Sequence, residues 1–420
     1  MNDLKGKKLL ILGAYSNEIE IVETAKRMGV YTIVTDTHTD WSLAPAKEYA
    51  DEVHNISYSD YDALEKLCRE NNIDGCIAGF SETRVQCLTD FCKRMGFPCY
   101  TEGADLGTIF DKAKFHEACK KCGIPVPGSY SIDDEIDEFP VIVRPVDAGG
   151  TQGTRICYNI DEVREAYEVA LSFSKSGRVA IDEYLNGQEG AYWYFVHNGI
   201  VSLANSADRM MYDFGEGKLK QPVANCYPFR HLDKFVEKQD ESFKKLITML
   251  GIRNGSVLIQ GIIKNDYFVP IEMGYRFDGS LSFHFPGYIN GADDMEMMIR
   301  FALTGSMGDD EEISRRETPY FDKTGVLILL LLTKGTITEI SGLDGIRDEK
   351  CVFHVFQKMN VGAECKETSS FSQVFARIYM CSEDKSELLN TINKIYDTVK
   401  VLDENGKNML IGRYDADELK

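Results

Sequence analysis

The strongest constraint on the fold is a change of rhythm near residue 110. Before it, short apolar runs alternate with amphipathic stretches. KLLILGA (8–14) leads to helical periodicity from Ile19 to Met28, and YTIVTD (31–36) to a short segment at 50–54. A second amphipathic stretch, Tyr61 to Asn71, precedes GCIAGF (75–80). Strand–helix alternation predicts a parallel, doubly wound sheet, with ligands at the carboxyl ends of its strands, here near Gly13, Asp36 and Gly79. A helix in 110–122 is then stopped by Gly123, Pro125 and Pro127. Beyond it the apolar segments come in hairpin-like pairs: 141–145, 154–158, 178–182, 191–204, 257–263 and 266–272. Helices are predicted at 161–173, 233–250, 292–305 and 385–399. The polar stretch 306–319 reads as a linker. The fold class is therefore α/β followed by α+β.

Composition narrows the function. The net charge of −20 argues against an extended nucleic-acid or anionic-membrane surface. The aliphatic run Val326–Leu332 is far shorter than the roughly 20 residues a membrane helix requires, and reads as a buried strand. The opening MNDLKGKKLL does not have the pattern of an export signal. The twelve cysteines are therefore expected as reduced thiols in a cytoplasmic protein. Cys119 and Cys122 have CxxC spacing without a second such pair, which argues against zinc or redox chemistry.

FPVIVRPVDAGGTQGTRI (139–156) places Arg144 on an apolar strand ahead of Gly149, Gly150 and Gly153. It is not a P-loop, because Gly153 is followed by Thr154 and Arg155 rather than by Lys and a hydroxyl residue. Nor is it a dinucleotide loop, because a strand follows where a helix is required. LGAYSNE after the first strand has one glycine, which supports pyrophosphate approach poorly. VAIDEYLNGQE (179–189) is a strand that ends in an acidic turn. IQGIIKNDYFVPIEMGYR (259–276) is a hairpin with Gln260 and Glu272 on neighbouring strands.

In this order and spacing, the segments resemble the ATP-grasp superfamily over roughly 109–305. They are similar in particular to the ATP-grasp unit of the carbamoyl-phosphate synthetase large subunit, and the flanking regions to L-amino-acid ligases. The resemblance implies an N-terminal parallel Rossmann-like (pre-ATP-grasp) domain at 1–108 and a two-subdomain ATP-grasp domain at 109–305. A small C-terminal α+β domain would occupy 320–420. It implies phosphate clamps at Lys112 (with Lys114 as a competitor) and Arg144, and a lid in which Gly149, Gly150, Thr151 and Gly153 contact phosphate. A hinge at Asp182, Glu183 and Leu185 would read adenine, and Glu189 would accept from the ribose. Gln260 and Glu272 would hold Mg²⁺, with Mn²⁺ as a substitute, and Arg276 would stabilise the acyl phosphate or hold the substrate carboxylate. The sequence departs from the family pattern at Gly274, where asparagine is expected; Asp278 could supply an acid instead.

The implied chemistry is ATP-dependent joining of a small-molecule carboxylate to an amine, with release of ADP and phosphate. A non-catalytic ATP-binding protein and carboxyphosphate chemistry are the alternatives. Arg209, Lys218, Lys220 and Arg230 could serve the substrate, and His284 and Tyr288 read as structural residues. The partners expected are small molecules and a second copy of the chain, with neither nucleic acid nor membrane.

Overall fold

The computed structural model describes residues 4–148, 152–215, 219–366 and 371–419. Gly149, Gly150, Thr151 and Lys218 lie outside the described residues.

The first rhythm folds into a four-stranded parallel sheet, ordered Glu52–His54, Tyr31–Thr35, Lys8–Leu12, Gly75–Ile77. The intervening helices include Glu18–Arg27, Tyr61–Asn71 and Glu82–Met95. Leu9 to Leu12 are fully buried, as expected of strands covered on both faces.

The hairpin rhythm gives two antiparallel sheets. The smaller is ordered Ser129–Tyr130, Val179–Glu183, Val141–Pro145, Arg155–Cys157, and the helix Ile160–Phe173 packs on it. The strands that flank the glycine-rich loop are thus a hairpin. The larger sheet runs Tyr267–Gly274, Gly255–Lys264, Glu189–His197, Ile200–Tyr212, Gln221–Tyr227, Thr324–Leu332, Val374–Ser382, Val352–Gln357. Val326 to Leu332 lie buried in its middle, bonded on both edges. Hydrogen bonds between Gln221–Tyr227 and Thr324–Leu332 therefore place the long strands of the last hundred residues in the same sheet as the residue 260/272 hairpin.

Three local expectations are corrected. Residues 191–204 are not one strand, because the chain turns at Asn198-Gly199 with φ of 50° and 84°. Asn-Gly suits a two-residue hairpin turn, since both positions need positive φ. The helix expected at 233–250 is two, Leu232–Lys238 and Asp240–Met249. Between them the Gln239 amide accepts from Phe268 N at 2.8 Å and donates to Phe268 O at 2.9 Å, which pins the break to the sheet. The linker at 306–319 contains the helix Asp310–Arg316, capped by Asp309, with acids in its first turn and arginines in its last. Its polarity is that of a dipole-matched surface helix anchored by buried Ile313.

All twelve cysteines are free thiols. Among the described residues, no helix is long and apolar enough to cross a membrane.

Candidate nucleotide and phosphate site

The three sheets meet around a cavity of about 440 Å³. Lys112, Arg144, Glu183, Leu185, Glu189, Gln260, Glu272 and Arg276 all line it, as do Gly274 and Asp278. These residues come from segments up to 166 positions apart (112 to 278), so folding has gathered what the sequence only ordered. Ile142, Met211, Leu258, Ile262 and Met273 supply an apolar wall. Five cations (Lys112, Arg144, Arg209, Lys220, Arg276) face five carboxylates (Glu183, Glu189, Glu272, Asp278, Glu82). In a chain of net charge −20, a balanced cavity is a relatively cationic place.

Lys112 opens the helix Lys112–Lys121, whose N-cap Asp111 accepts from Lys114 N at 3.0 Å. The Lys112 ammonium donates to Ala148 O at 3.0 Å, at the entry to the glycine-rich loop, and lies 3.9 Å from Glu272 Oε2. Lys114 borders a separate cleft with Thr108 and Glu117. Of the two competing lysines, Lys112 faces the cavity.

Arg144 donates to Asp182 Oδ2 from Nε (3.2 Å) and Nη2 (2.8 Å), and both side chains are buried. Ile142 pairs with Asp182 and Arg144 with Ala180, so Arg144 and Asp182 are diagonal neighbours on one face. Asp182 is not among the cavity-lining residues. Its place is behind Arg144, holding that guanidinium rather than a ligand. Burial, with Arg144 adding repulsion, pushes nearby His116 down to about 4, so it stands neutral near pH 7. Gly153 also lies outside the lining and has a φ of +68°. A Cβ there would come within 2.9 Å of the Phe173 ring, so this glycine is needed for the turn and for close approach to Phe173.

In the larger hairpin Gln260 is directly opposite Glu272, with a bulge beside Gln260. The turn residues Asn265 and Asp266 have φ of 52° and 65°. Glu272 is about half exposed, open to a hard cation. A Cβ at Gly274 would meet nothing nearer than 3.9 Å, so the missing asparagine leaves space in the cavity wall rather than a packed backbone.

At the far wall, Glu189 pairs with Arg209 at 3.2 Å. Burial raises the Glu189 carboxyl, while Arg209 and Lys220 pull it back. Glu183 is engaged by Lys264 and by Gly128 N. Arg276 reaches Glu82 at 3.3 Å and donates to Phe277 O at 3.1 Å. Asp278 accepts from Ser280 N, Ser282 N and Ser282 Oγ at 2.9 to 3.0 Å, which commits its oxygens to the turn. Arg230 is paired with Asp208 at 2.7 Å; among the described residues of their group, Arg209 and Lys220 line the cavity.

Sequence reasoning missed Phe80 and Glu82, which carry the N-terminal unit into the site. The signal was the strand ending near Gly79, followed by Ser81, whose side chain caps the helix Glu82–Met95. His284 and Tyr288 are outside the cavity, and Tyr288 stacks on Phe353 at 4.2 Å.

Residues 111–191 match the family model for the ATP-binding domain of the carbamoyl-phosphate synthase L chain. Over 301 residues the chain is 27% identical to the carbamoyl phosphate synthase large chain of Clostridium botulinum, which covers 65% of this chain and 27% of that one. The chain thus spans about a quarter of the length of such curated relatives. Among solved structures, the L-amino acid ligase from Bacillus licheniformis matches with a TM-score of 0.76 at 18% identity, covering 96% of this chain and all of that one. The biotin carboxylase domain dimer of 2-oxoglutarate carboxylase from Hydrogenobacter thermophilus, in complex with MgADP and bicarbonate, matches with a TM-score of 0.75 at 17% identity. It covers 94% of this chain and 90% of that one.

Proposed function

The chain has the ATP-grasp fold, and we propose that it is an ADP-forming ligase joining a small-molecule carboxylate to an amine. The observation that carries this is the convergence of Lys112, Arg144, Glu189, Gln260, Glu272 and Arg276 on one cavity. An apolar wall for a base, a carboxylate at Glu189 for ribose hydroxyls and two cations for phosphates are what a nucleoside triphosphate requires.

Fit to a metal is good at one residue and thin elsewhere. Glu272 is an accessible hard-oxygen ligand, Gln260 opposite it offers a neutral oxygen, and Gly274 offers none. Such a set suits Mg²⁺, or Mn²⁺ in its place, held largely by phosphate and water oxygens. The ion would supply charge stabilisation to the transferring phosphoryl group. Lys112 and Arg144 spread the same charge from the protein side, and Asp182 keeps the Arg144 fork fixed.

In the reaction, a substrate carboxylate oxygen bonds to the γ-phosphorus and ADP leaves. The amine nitrogen then bonds to the acyl carbon, phosphate leaves and the amine loses a proton. Arg276, held by Glu82, orients the carboxylate or its acyl phosphate. No protein nucleophile is needed, and the barrier falls by positioning and electrostatics.

The division into 1–108, 109–305 and 320–420, a cytoplasmic site of action and a homodimer belong to the same proposal. The dimer named for the biotin carboxylase domain supports the last. One observation favours a second reading, a non-catalytic ATP-binding protein: Glu272 is the only carboxylate of the metal hairpin pair, and Lys112 lies 3.9 Å from it.

The test is release of ADP and phosphate from MgATP across pooled amino acids and other acid–amine pairs. Turnover on at least one pair is expected, and Glu272→Gln should lower it at least roughly 100-fold, the loss of about 2.7 kcal/mol of transition-state stabilisation. MgATP binding with no turnover on any pair would overturn the ligase reading. Stimulation by bicarbonate alone would move the chemistry to carboxyphosphate.

A further inference from the structure

Behind the cavity wall, three segments that are remote in sequence meet. Glu20 lies on the helix Glu18–Arg27, His284 opens the helix His284–Asn290, and His354 sits on the strand Val352–Gln357. Glu20 Oε1 is 3.1 Å from His354 Nε2, and Glu20 Oε2 is 3.4 Å from His284 Nε2. One ligand atom from each residue lies within 4.8 Å of the others. The chain has seven histidines, so two on one buried acid is a concentration of metal-binding chemistry.

We propose that Glu20, His284 and His354 form a binding site for a borderline-soft divalent cation, zinc being the type case, distinct from the magnesium site at Glu272. Two imidazoles and a carboxylate, with a fourth position left to water, are a recurrent zinc ligand set. Ligands about 2.0–2.2 Å from a tetrahedral ion stand roughly 3.3–3.5 Å apart. The two carboxylate–imidazole separations, 3.1 Å to Oε1 and 3.4 Å to Oε2, are close to this spacing, and with one atom from each residue the trio lies within 4.8 Å, so a small closure would bring it around an ion. Glu20 is 4% exposed, so its charge needs a cationic partner in the folded state. His284 Nε2 is shut off from solvent without a hydrogen-bond partner in good geometry, which is how an imidazole awaiting a metal is left. His354 is 30% exposed, which gives an ion a way in.

The surroundings fit a metal that ties the molecule together. Asp293 and Asp278 add negative charge nearby, and Arg377 adds one positive charge that the ion must tolerate. Tyr379 packs against both imidazoles, with ring centroids 5.2 and 5.1 Å away. Its hydroxyl donates to Ser280 O, at the cavity wall, at 2.7 Å. An ion on the trio would clasp the N-terminal helix to the large sheet and brace that wall from behind.

The experiment is titration of full-length, chelator-stripped protein with Zn²⁺ against a chromophoric competitor, repeated with Co²⁺ and visible spectroscopy. Thiols are blocked beforehand. One equivalent should bind the parent and also Glu272→Gln, with tetrahedral Co²⁺ bands that lack thiolate charge transfer. His354→Ala and Glu20→Gln should each weaken that equivalent at least about 100-fold, in line with loss of a ligand. Thermal unfolding should shift upward with Zn²⁺ in the parent and not in His354→Ala. The proposal is overturned if no stoichiometric site is found, or if His354→Ala, folded by circular dichroism, binds like the parent. It is also overturned if Glu272→Gln alone removes the site.

Discussion

Two places in this molecule carry the same sequence signal, an apolar strand running into glycine, and they have opposite fates. At the first, Gly13 follows the strand Lys8–Leu12 with a φ of +97°. The Arg84 guanidinium fills the space above it, so that a Cβ on Gly13 would lie 1.8 Å from Arg84 Nη1. Glu18, fully buried, holds that arginine at 3.1 Å, and the Tyr15 ring covers it at 4.9 Å. At the second, Arg144 is held by an equally buried acid, Asp182, but still borders a cavity. Both places thus hold a buried arginine on a buried acid, and what else occupies the space decides its meaning. In the N-terminal crevice the chain fills the space itself; beside Arg144 it leaves a cavity with room for a ligand.

The contrast can be broken at Gly13. Gly13→Ala would force Arg84 out and place a side chain at strongly positive φ. It should cost about 3 kcal/mol in denaturant unfolding, from overpacking together with left-handed strain. Retention of parental stability would mean that Arg84 does not occupy the crevice.

A smaller effect comes from Glu18. Burial outweighs the pull of Arg84 and raises its carboxyl to about 7. A folded-state value above the unfolded one means that stability is full below about pH 4.5 and is lost as pH rises towards 7. Glu18→Gln should therefore gain on the parent by roughly 2 kcal/mol between pH 5 and 8. A parallel pH profile for the two proteins would place Glu18 in a more hydrated setting.

The smallest expected change sharpens the second region. Because Gly274 has space for a side chain, Gly274→Asn should fold normally and tighten Mg²⁺ dependence of turnover by up to about tenfold, near 1.4 kcal/mol. Loss of MgATP binding instead would show that the open wall at residue 274 is itself required.

The same contrast explains what the sequence could disclose. The parallel sheet followed period and alternation, and the pairing of the two strands followed from the Asn265-Asp266 turn, but Gln260 faces Glu272 only through the bulge beside Gln260, which no local pattern announces. Lys112, Arg144 and Glu189 were legible because residue type and order along the chain carry them. The Arg144–Asp182 and Arg84–Glu18 pairings were not, since each depends on which side chain a buried charge finds across a sheet or helix interface. Glu20, His284 and His354 come together only through the packing of a helix on a sheet whose edge is residues 352–357, and no local pattern joins them. The helix Asp310–Arg316 was hidden by composition, because a dipole-matched surface helix and a linker are equally polar.

The central claim is that the cavity beside the glycine-rich hairpin, and not the N-terminal crevice, takes MgATP. Calorimetric titration of MgATP into the parent, Lys112→Ala and Glu18→Gln tests it directly. One site per chain is expected in the parent, weakened roughly 100-fold (about 2.7 kcal/mol) in Lys112→Ala and unchanged in Glu18→Gln. Parental affinity in Lys112→Ala, or lost binding in a folded Glu18→Gln, would contradict it.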